Sequence, residues 1–154
     1  MKASNEMKLT FISRSCNEAF ARTAVAAFLA SLDPTVDEMA DIKTAVSEAV
    51  TNCIVHGYRD TLGMVYITMR LYENALVEIK IRDTGCGIED VSQAMEPMFT
   101  TCTTGERAGL GFAVMESFMD KVRVRSKVGR GTTVTLRKTI RSRGENLCQP
   151  KADS

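Results

Sequence analysis

Apolar and polar residues alternate near the start of the chain: Met7, Leu9 and Phe11 are separated by Lys8 and Thr10. A two-residue period puts one set of side chains on one face, so residues 1–13 are predicted to form an entry strand. The period then changes. Phe20, Ala24, Ala27 and Phe28 recur at helical spacing, which predicts a helix from Asn17 to about Leu32. Asp33-Pro34 ends it, because proline pushes the residue before it out of the helical region. Thr35 with Glu38 matches a capping box, so a second helix starts there. Met39, Ile42, Val46, Ala49, Val50 and Cys53 give that helix one buried stripe. It is expected to stop near His56-Gly57, glycine being common just past a helix.

Alternation returns at Val65, Ile67, Met69 and Leu71, and again at Val77, Ile79 and Ile81. These predict strands over 64–72 and 75–82, joined by a tight turn at Glu73-Asn74. From Asp83 to Gly111 the pattern is lost and glycines gather. A third helix is expected from about Leu110 to Met119. Val122, Val124, Val134 and Leu136 then mark a last hairpin, turned at Val128-Gly129-Arg130-Gly131. Beyond Arg141 the chain is polar and aperiodic, so residues 1–140 read as a single domain and 141–154 as a mobile tail. The order of elements argues for an α+β two-layer sandwich. Its sheet is expected to be mixed, mostly antiparallel, and covered on one face by helices.

Composition narrows the function. Twenty basic and nineteen acidic side chains in 154 residues leave a formal charge of +1, against a strongly basic nucleic-acid binder. The longest apolar run, Ala24–Ala30, is too short for a membrane span, and the N-terminus lacks a signal-peptide pattern. The five cysteines, at 16, 53, 86, 102 and 148, show no CxxC spacing, and the lone His56 completes no zinc pattern. Reduced thiols in a cytoplasmic protein are expected.

Candidate chemistry falls at three places. Glu48 and Asn52 share one helix face beside the apolar stripe, with Ala45 near them. They read either as a solvated flank or as a carboxylate for a proton or water beside an amide oxygen for a hard cation. Magnesium keeps several waters, so one asparagine plus phosphates would suffice. Asp83-Thr84-Gly85-Cys86-Gly87 follows a strand. It reads as a simple glycine turn, or as an acceptor for a purine amine with glycines that let backbone approach a flat base. Gly105-Glu106-Arg107-Ala108-Gly109-Leu110-Gly111 precedes a helix. It reads as a surface loop or as an anion cradle, though it is not a P-loop. His56 could reach the site, but a helix-end histidine is the plainer reading. The methionines read as core filler.

Taken together, SEAVTNCIVHGY, RDTGCGI, GERAGLGF and GRGTTVTL, in that order, resemble the GHKL (Bergerat-fold) ATP-binding family over roughly residues 8–138. The resemblance implies that Asn52 binds magnesium, Asp83 the adenine amine, and Gly85 and Gly87 the base-binding turn. It places Gly105, Gly109, Leu110 and Gly111 at the phosphates, Thr132 or Thr133 at the adenine end, and residues 88–108 in a lid. FARTAVAAFLASLDPT and RAGLGFAVMESFMD are similar to the anti-sigma branch of that family, whose members also act as serine-protein kinases. That likeness implies ATP and Mg2+ as cofactors. It implies a sporulation sigma factor of the sigma-F type as a partner and an anti-anti-sigma factor phosphorylated on serine. It further implies a homodimer, with neither nucleic acid nor membrane as a direct partner. Glu48 would be the catalytic base and Arg107 a γ-phosphate partner, while Arg22 and Glu106 would contact proteins. A sigma-binding module without phosphoryl transfer, the related general-stress anti-sigma kinase, and the ATPase domain of a larger machine are the alternatives.

Overall fold

A computed structural model describes residues 2–96 and 111–141. Strand β1 (Asn5–Ile12) leads into helix α1 (Cys16–Leu29) and helix α2 (Val36–Thr51), which runs on as a wider π-helical turn over Asn52–Gly57. Strands β2 (Met64–Leu71) and β3 (Leu76–Asp83) follow, then the short helices α3 (Val91–Met95) and α4 (Phe112–Phe118), and last β4 (Lys121–Lys127) and β5 (Gly131–Thr139). The five strands lie in the order β1-β2-β3-β5-β4. Each described pairing is antiparallel. The expected α+β sandwich is therefore the fold, but the sheet is antiparallel through all its described pairings rather than mixed.

Alternation decides which sheet face is covered. Val65, Ile67, Met69, Val77, Ile79, Ile81, Val134 and Leu136 are buried on one face. They pack with Ala21, Val25 and Leu29 of α1, Ile42, Val46, Ala49 and Val50 of α2, and Phe112 and Met115 of α4 in one core. Each fully buried aliphatic side chain of this size contributes about 1.5–3 kcal/mol, so the shared stripe, not helix propensity, holds α2 to the sheet. Thr35 closes the predicted capping box: its hydroxyl accepts the Glu38 N–H at 3.1 Å, and its own N–H donates to Glu38 Oε1 at 2.9 Å.

Five local expectations change. The buried stripe of α1 is Ala21, Val25 and Leu29, one residue out of step with the expected one, and Phe20 is 56% exposed. Alanine is too weak a hydrophobic marker to fix the helix phase. Ala45 is wholly buried rather than on the flank. The β2–β3 connection is wider than a two-residue turn, with Asn74 at φ 62° and Ala75 at φ 57° inside it. Helix α3 is too short to carry a period; Asp90 caps it by accepting the Gln93 N–H at 3.0 Å. At the far end Ile140 is buried, and the Arg141 N–H donates to Glu38 Oε2 at 2.7 Å, so order extends one residue into the expected tail. Residues 142–154 lie outside the described residues.

Candidate active site

The π-helical turn at the end of α2 and the loop after β3 meet at one seam. The Cys86 N–H donates to the Gly57 carbonyl at 2.9 Å, and the Gly129 N–H donates to the Cys86 carbonyl at 2.8 Å. The loop is thus pinned on one side to α2 and on the other to the β4–β5 turn. These contacts explain the glycines. A Cβ on Gly85 would collide with the Gly57 carbonyl, and a Cβ on Gly87, whose φ is +76°, would collide with the Lys127 carbonyl.

Asp83, the last residue of β3, is 4% exposed. Its Oδ1 accepts the Gly85 N–H at 2.9 Å. Burial raises its pKa above the ordinary carboxylate value, while hydrogen bonds from Gly85 N–H, the Cys53 thiol and Thr132 N–H pull the other way. Cys53 is buried on α2's continuation, and burial next to Asp83 pushes its thiol well above the usual range. It therefore stays a protonated donor to the aspartate. A Cβ on Gly57 would fall 2.9 Å from Asp83 Oδ1, so that position too is kept bare for the carboxylate.

A cavity of about 410 Å³ opens here, a size that suits a small ligand. Asn52, Asp83, Gly87 and Thr132 all line it, together with His56 and Phe112. Burial and the nearby Arg59 lower the His56 pKa, which keeps the imidazole neutral near pH 7. Thr132 is fixed from behind: its hydroxyl lies 2.8 Å from that of Ser126, which also accepts the Ile88 N–H at 2.7 Å. Thr133, by strand alternation, turns to the opposite sheet face, so of the two threonines only Thr132 faces the cavity.

Glu48 stands next to this cavity, against the start of α4. Gly111, at φ +66°, precedes that helix, and a Cβ there would collide with Glu48 Oε2. Arg22 lies on α1, away from the cavity, with its Nε 3.8 Å from Glu18 Oε1. Gly105, Glu106, Arg107, Gly109 and Leu110 lie outside the described residues. Among the described residues no cluster of histidine, cysteine, aspartate or glutamate could hold a metal ion by itself. A cation here would need its other ligands from a bound phosphate chain, for which Asn52 is a fitting amide.

Sequence reasoning missed Cys53 as the donor to Asp83 and Tyr58 as a clamp. The buried Tyr58 hydroxyl accepts the Thr84 N–H at 2.9 Å and donates to the Met64 carbonyl. It ties the loop after β3 to the start of β2. Cys53 carried only a core signal, being on the apolar stripe. Tyr58 carried none.

The histidine kinase-like ATPase domain matches residues 15–138 of the chain. The chain is 54% identical over 142 residues to the anti-sigma F factor of Thermoanaerobacter sp. (strain X514), covering 92% of this chain and 99% of that one. It is 50% identical over 145 residues to the anti-sigma F factor of Priestia megaterium, covering 94% and 98%. A crystal structure of the RsbU and RsbW domains of Rv1364c from Mycobacterium tuberculosis shares the fold at a TM-score of 0.66 and 22% identity, over 89% of this chain and 32% of that one. A histidine kinase domain from Erythrobacter litoralis aligns at a TM-score of 0.55 and 19% identity, over 80% and 60%. The aspartate, asparagine and glycines that meet at the seam thus sit in a known nucleotide-binding frame, and the chain belongs to the anti-sigma F factor family, on a histidine kinase-like ATPase domain.

Proposed function

We propose that this chain binds a sporulation sigma factor of the sigma-F type and so inhibits transcription. We propose also that it transfers the γ-phosphoryl group of ATP to a serine of an anti-anti-sigma factor. The observation that carries the nucleotide part is the buried Asp83 carboxylate, held by Gly85 N–H inside the same cavity as Asn52, Gly87 and Thr132. A carboxylate is acceptor-only when ionised, so it selects a base with an exocyclic amine. The ATPase domain itself implies ATP.

Asn52 would help hold a magnesium ion carried on the phosphates, which supplies charge neutralisation at the transferring group. The serine Oγ attacks the γ-phosphorus, the bond to the ADP oxygen breaks, and Glu48 takes the hydroxyl proton. Gly109, Gly111 and Arg107 are assigned to the phosphate end, with Gly105 and Leu110 beside them. An arginine there would meet phosphate oxygens through its planar fork. Arg22 and Glu106 are assigned to protein contacts, and a homodimer in the cytoplasm is the expected working form. No helix among the described residues is long and apolar enough to cross a membrane.

The test mixes the purified chain with labelled ATP and with a candidate anti-anti-sigma factor, with and without magnesium. Label on a serine of the partner is the expected result. Binding of the sigma factor and ATP without transfer would leave a nucleotide-dependent binding module.

A further inference from the structure

The sheet face opposite the helices is strongly cationic. Strand alternation and register place Lys8, Arg70, Lys80, Arg82, Lys121, Arg123, Arg125, Lys127 and Arg137 on it, with Glu6 and Glu78 as its acids. Nine of the chain's 20 cations thus share a face with two of its 19 acids, and a chain of formal charge +1 carries a face of about +7.

The charges are laid out in rows across the strands. One row reads Glu6, Arg70, Glu78, Arg137, Lys121, alternating in sign up to its last member. Its centre is neutralised: Glu78 is buried, Arg137 Nη2 lies 2.7 Å from its Oε2, and Arg70 Nη1 and Lys80 Nζ are 3.8 Å and 3.9 Å from its Oε1, while Lys8 Nζ is 3.8 Å from Glu6 Oε1. The next two rows have no acid at all. One reads Lys8, Thr68, Lys80, Thr135, Arg123, and the other Thr10, Tyr66, Arg82, Thr133, Arg125. Among the described residues neither Arg123 nor Arg125 has an ion-pair partner. Between them and Lys80 lies a groove of about 250 Å³ whose floor is Thr133 and Thr135.

We propose that this groove docks an acidic, extended segment of a protein partner, its carboxylates set over Thr133 and Thr135 between Lys80, Arg123 and Arg125. The spacing fits. In an extended chain alternate side chains repeat every ~6.6 Å, which is also the repeat of Arg123 and Arg125 along β4. Carboxylates at every second position would meet both arginines in register, with threonine hydroxyls as donors between the cations. A second copy of this chain laid face to face would oppose like charge with like charge. Single-stranded nucleic acid needs exposed aromatic platforms. Tyr66 is the aromatic residue in these rows, and Arg82 already sits 4.1 Å over its ring.

The test uses the full chain and a fluorescein-labelled peptide of about ten residues, alternating glutamate and serine. Anisotropy is read at about 150 mM salt, where surface attraction beyond a Debye length is screened. Arg123→Glu with Arg125→Glu is expected to weaken binding about tenfold or more. Lys2→Glu with Arg14→Glu, the same change in net charge elsewhere, is expected to stay within about twofold. ATP affinity should be equal in all three proteins, which shows that the variants fold. The proposal is overturned by an equal loss in both double variants, by absence of saturable peptide binding, or by an oligonucleotide of matched charge displacing the peptide more tightly than it binds itself.

Discussion

Gly111 opens helix α4 directly against Glu48, in a left-handed conformation at φ +66° that leaves no room for a side chain beside the carboxylate. The glycine serves two needs at once: a backbone shape that ordinary residues avoid, and space for an acid from another helix. Glu48 is thereby set at the border between α2 and the segment that the family resemblance assigns to the phosphates.

Gly111→Ala separates these two needs when paired with Gly129→Ala. Both glycines have positive φ, but a Cβ at Gly129 meets nothing within 4 Å. Each alanine should cost about 1–2 kcal/mol of stability from the left-handed backbone. Only Gly111→Ala should also depress phosphoryl transfer, because it displaces Glu48. Thermal melts and single-turnover rates check this. Equal transfer by the two variants would show that Glu48's position has no bearing on the reaction.

Asp83→Asn should weaken ATP binding without weakening the free protein near neutral pH. The carboxylate is buried and its pKa raised, so ionising it opposes folding. The sign follows from linkage. Below the unfolded pKa of about 3.9 the acid is protonated in both states and costs nothing. As pH rises from there through the raised folded value, stability is lost, and the full penalty stands above it. Relative to wild type, the Asn variant should therefore gain stability as pH rises through that window. Melts at several pH values, with nucleotide titrations at pH 7, measure both effects. A relative stability that falls with rising pH would contradict a raised Asp83 pKa.

Much of this frame was legible from the chain alone. Thr35 with Glu38 placed the start of α2, and the stripe from Ile42 to Cys53 placed its buried face, because large aliphatic residues and capping chemistry act locally. Asn52, Asp83, Gly87 and Thr132 were singled out, and they line one cavity. Thr133 was not separable from Thr132 until strand register put them on opposite faces. Phe20 misled, since an aromatic residue among alanines sets an apparent helix phase that tertiary packing overrides. The Cys53–Asp83 bond and the Tyr58 clamp arise from contacts between segments about 30 residues apart or fewer, and neither side chain has a local signature for its role.

Glu48→Gln and Asn52→Ala should fail at different steps. The glutamine keeps the shape of the acid but cannot take a proton, so ATP should bind normally while transfer slows about 10²–10⁴-fold. The alanine removes an amide oxygen from the cavity, so magnesium-dependent ATP binding should be lost first. Asn52 is half-buried beside the core rather than within it, and its removal should leave the fold intact. Nucleotide titrations with and without magnesium, followed by rates at saturating ATP, distinguish the two. Wild-type transfer by the Gln variant would make Glu48 a flank residue.

Arg22→Ala should weaken protein partners and spare the nucleotide. Arg22 lies on α1 with its side chain 40% exposed and its Nε 3.8 Å from Glu18 Oε1. Glu18 in turn accepts the Ser47 hydroxyl from α2, so the arginine is steadied by a link between two helices. A surface ion pair of this kind is worth at most about 1 kcal/mol, and losing it should shift melting little. Arginine at an interface centre can contribute about 2 kcal/mol or more, close to a thirtyfold change in affinity. Sigma-factor and anti-anti-sigma-factor affinities should therefore fall about that far, while ATP affinity holds. If both partners lose affinity alike, they compete for one surface, and release of the sigma factor has a steric basis. Glu18→Gln should reproduce part of the loss by freeing the arginine from its partner. Unchanged affinity for both proteins in Arg22→Ala would take Arg22 out of the interface, and a parallel loss of ATP binding would show that α1 supports the fold rather than a docking surface.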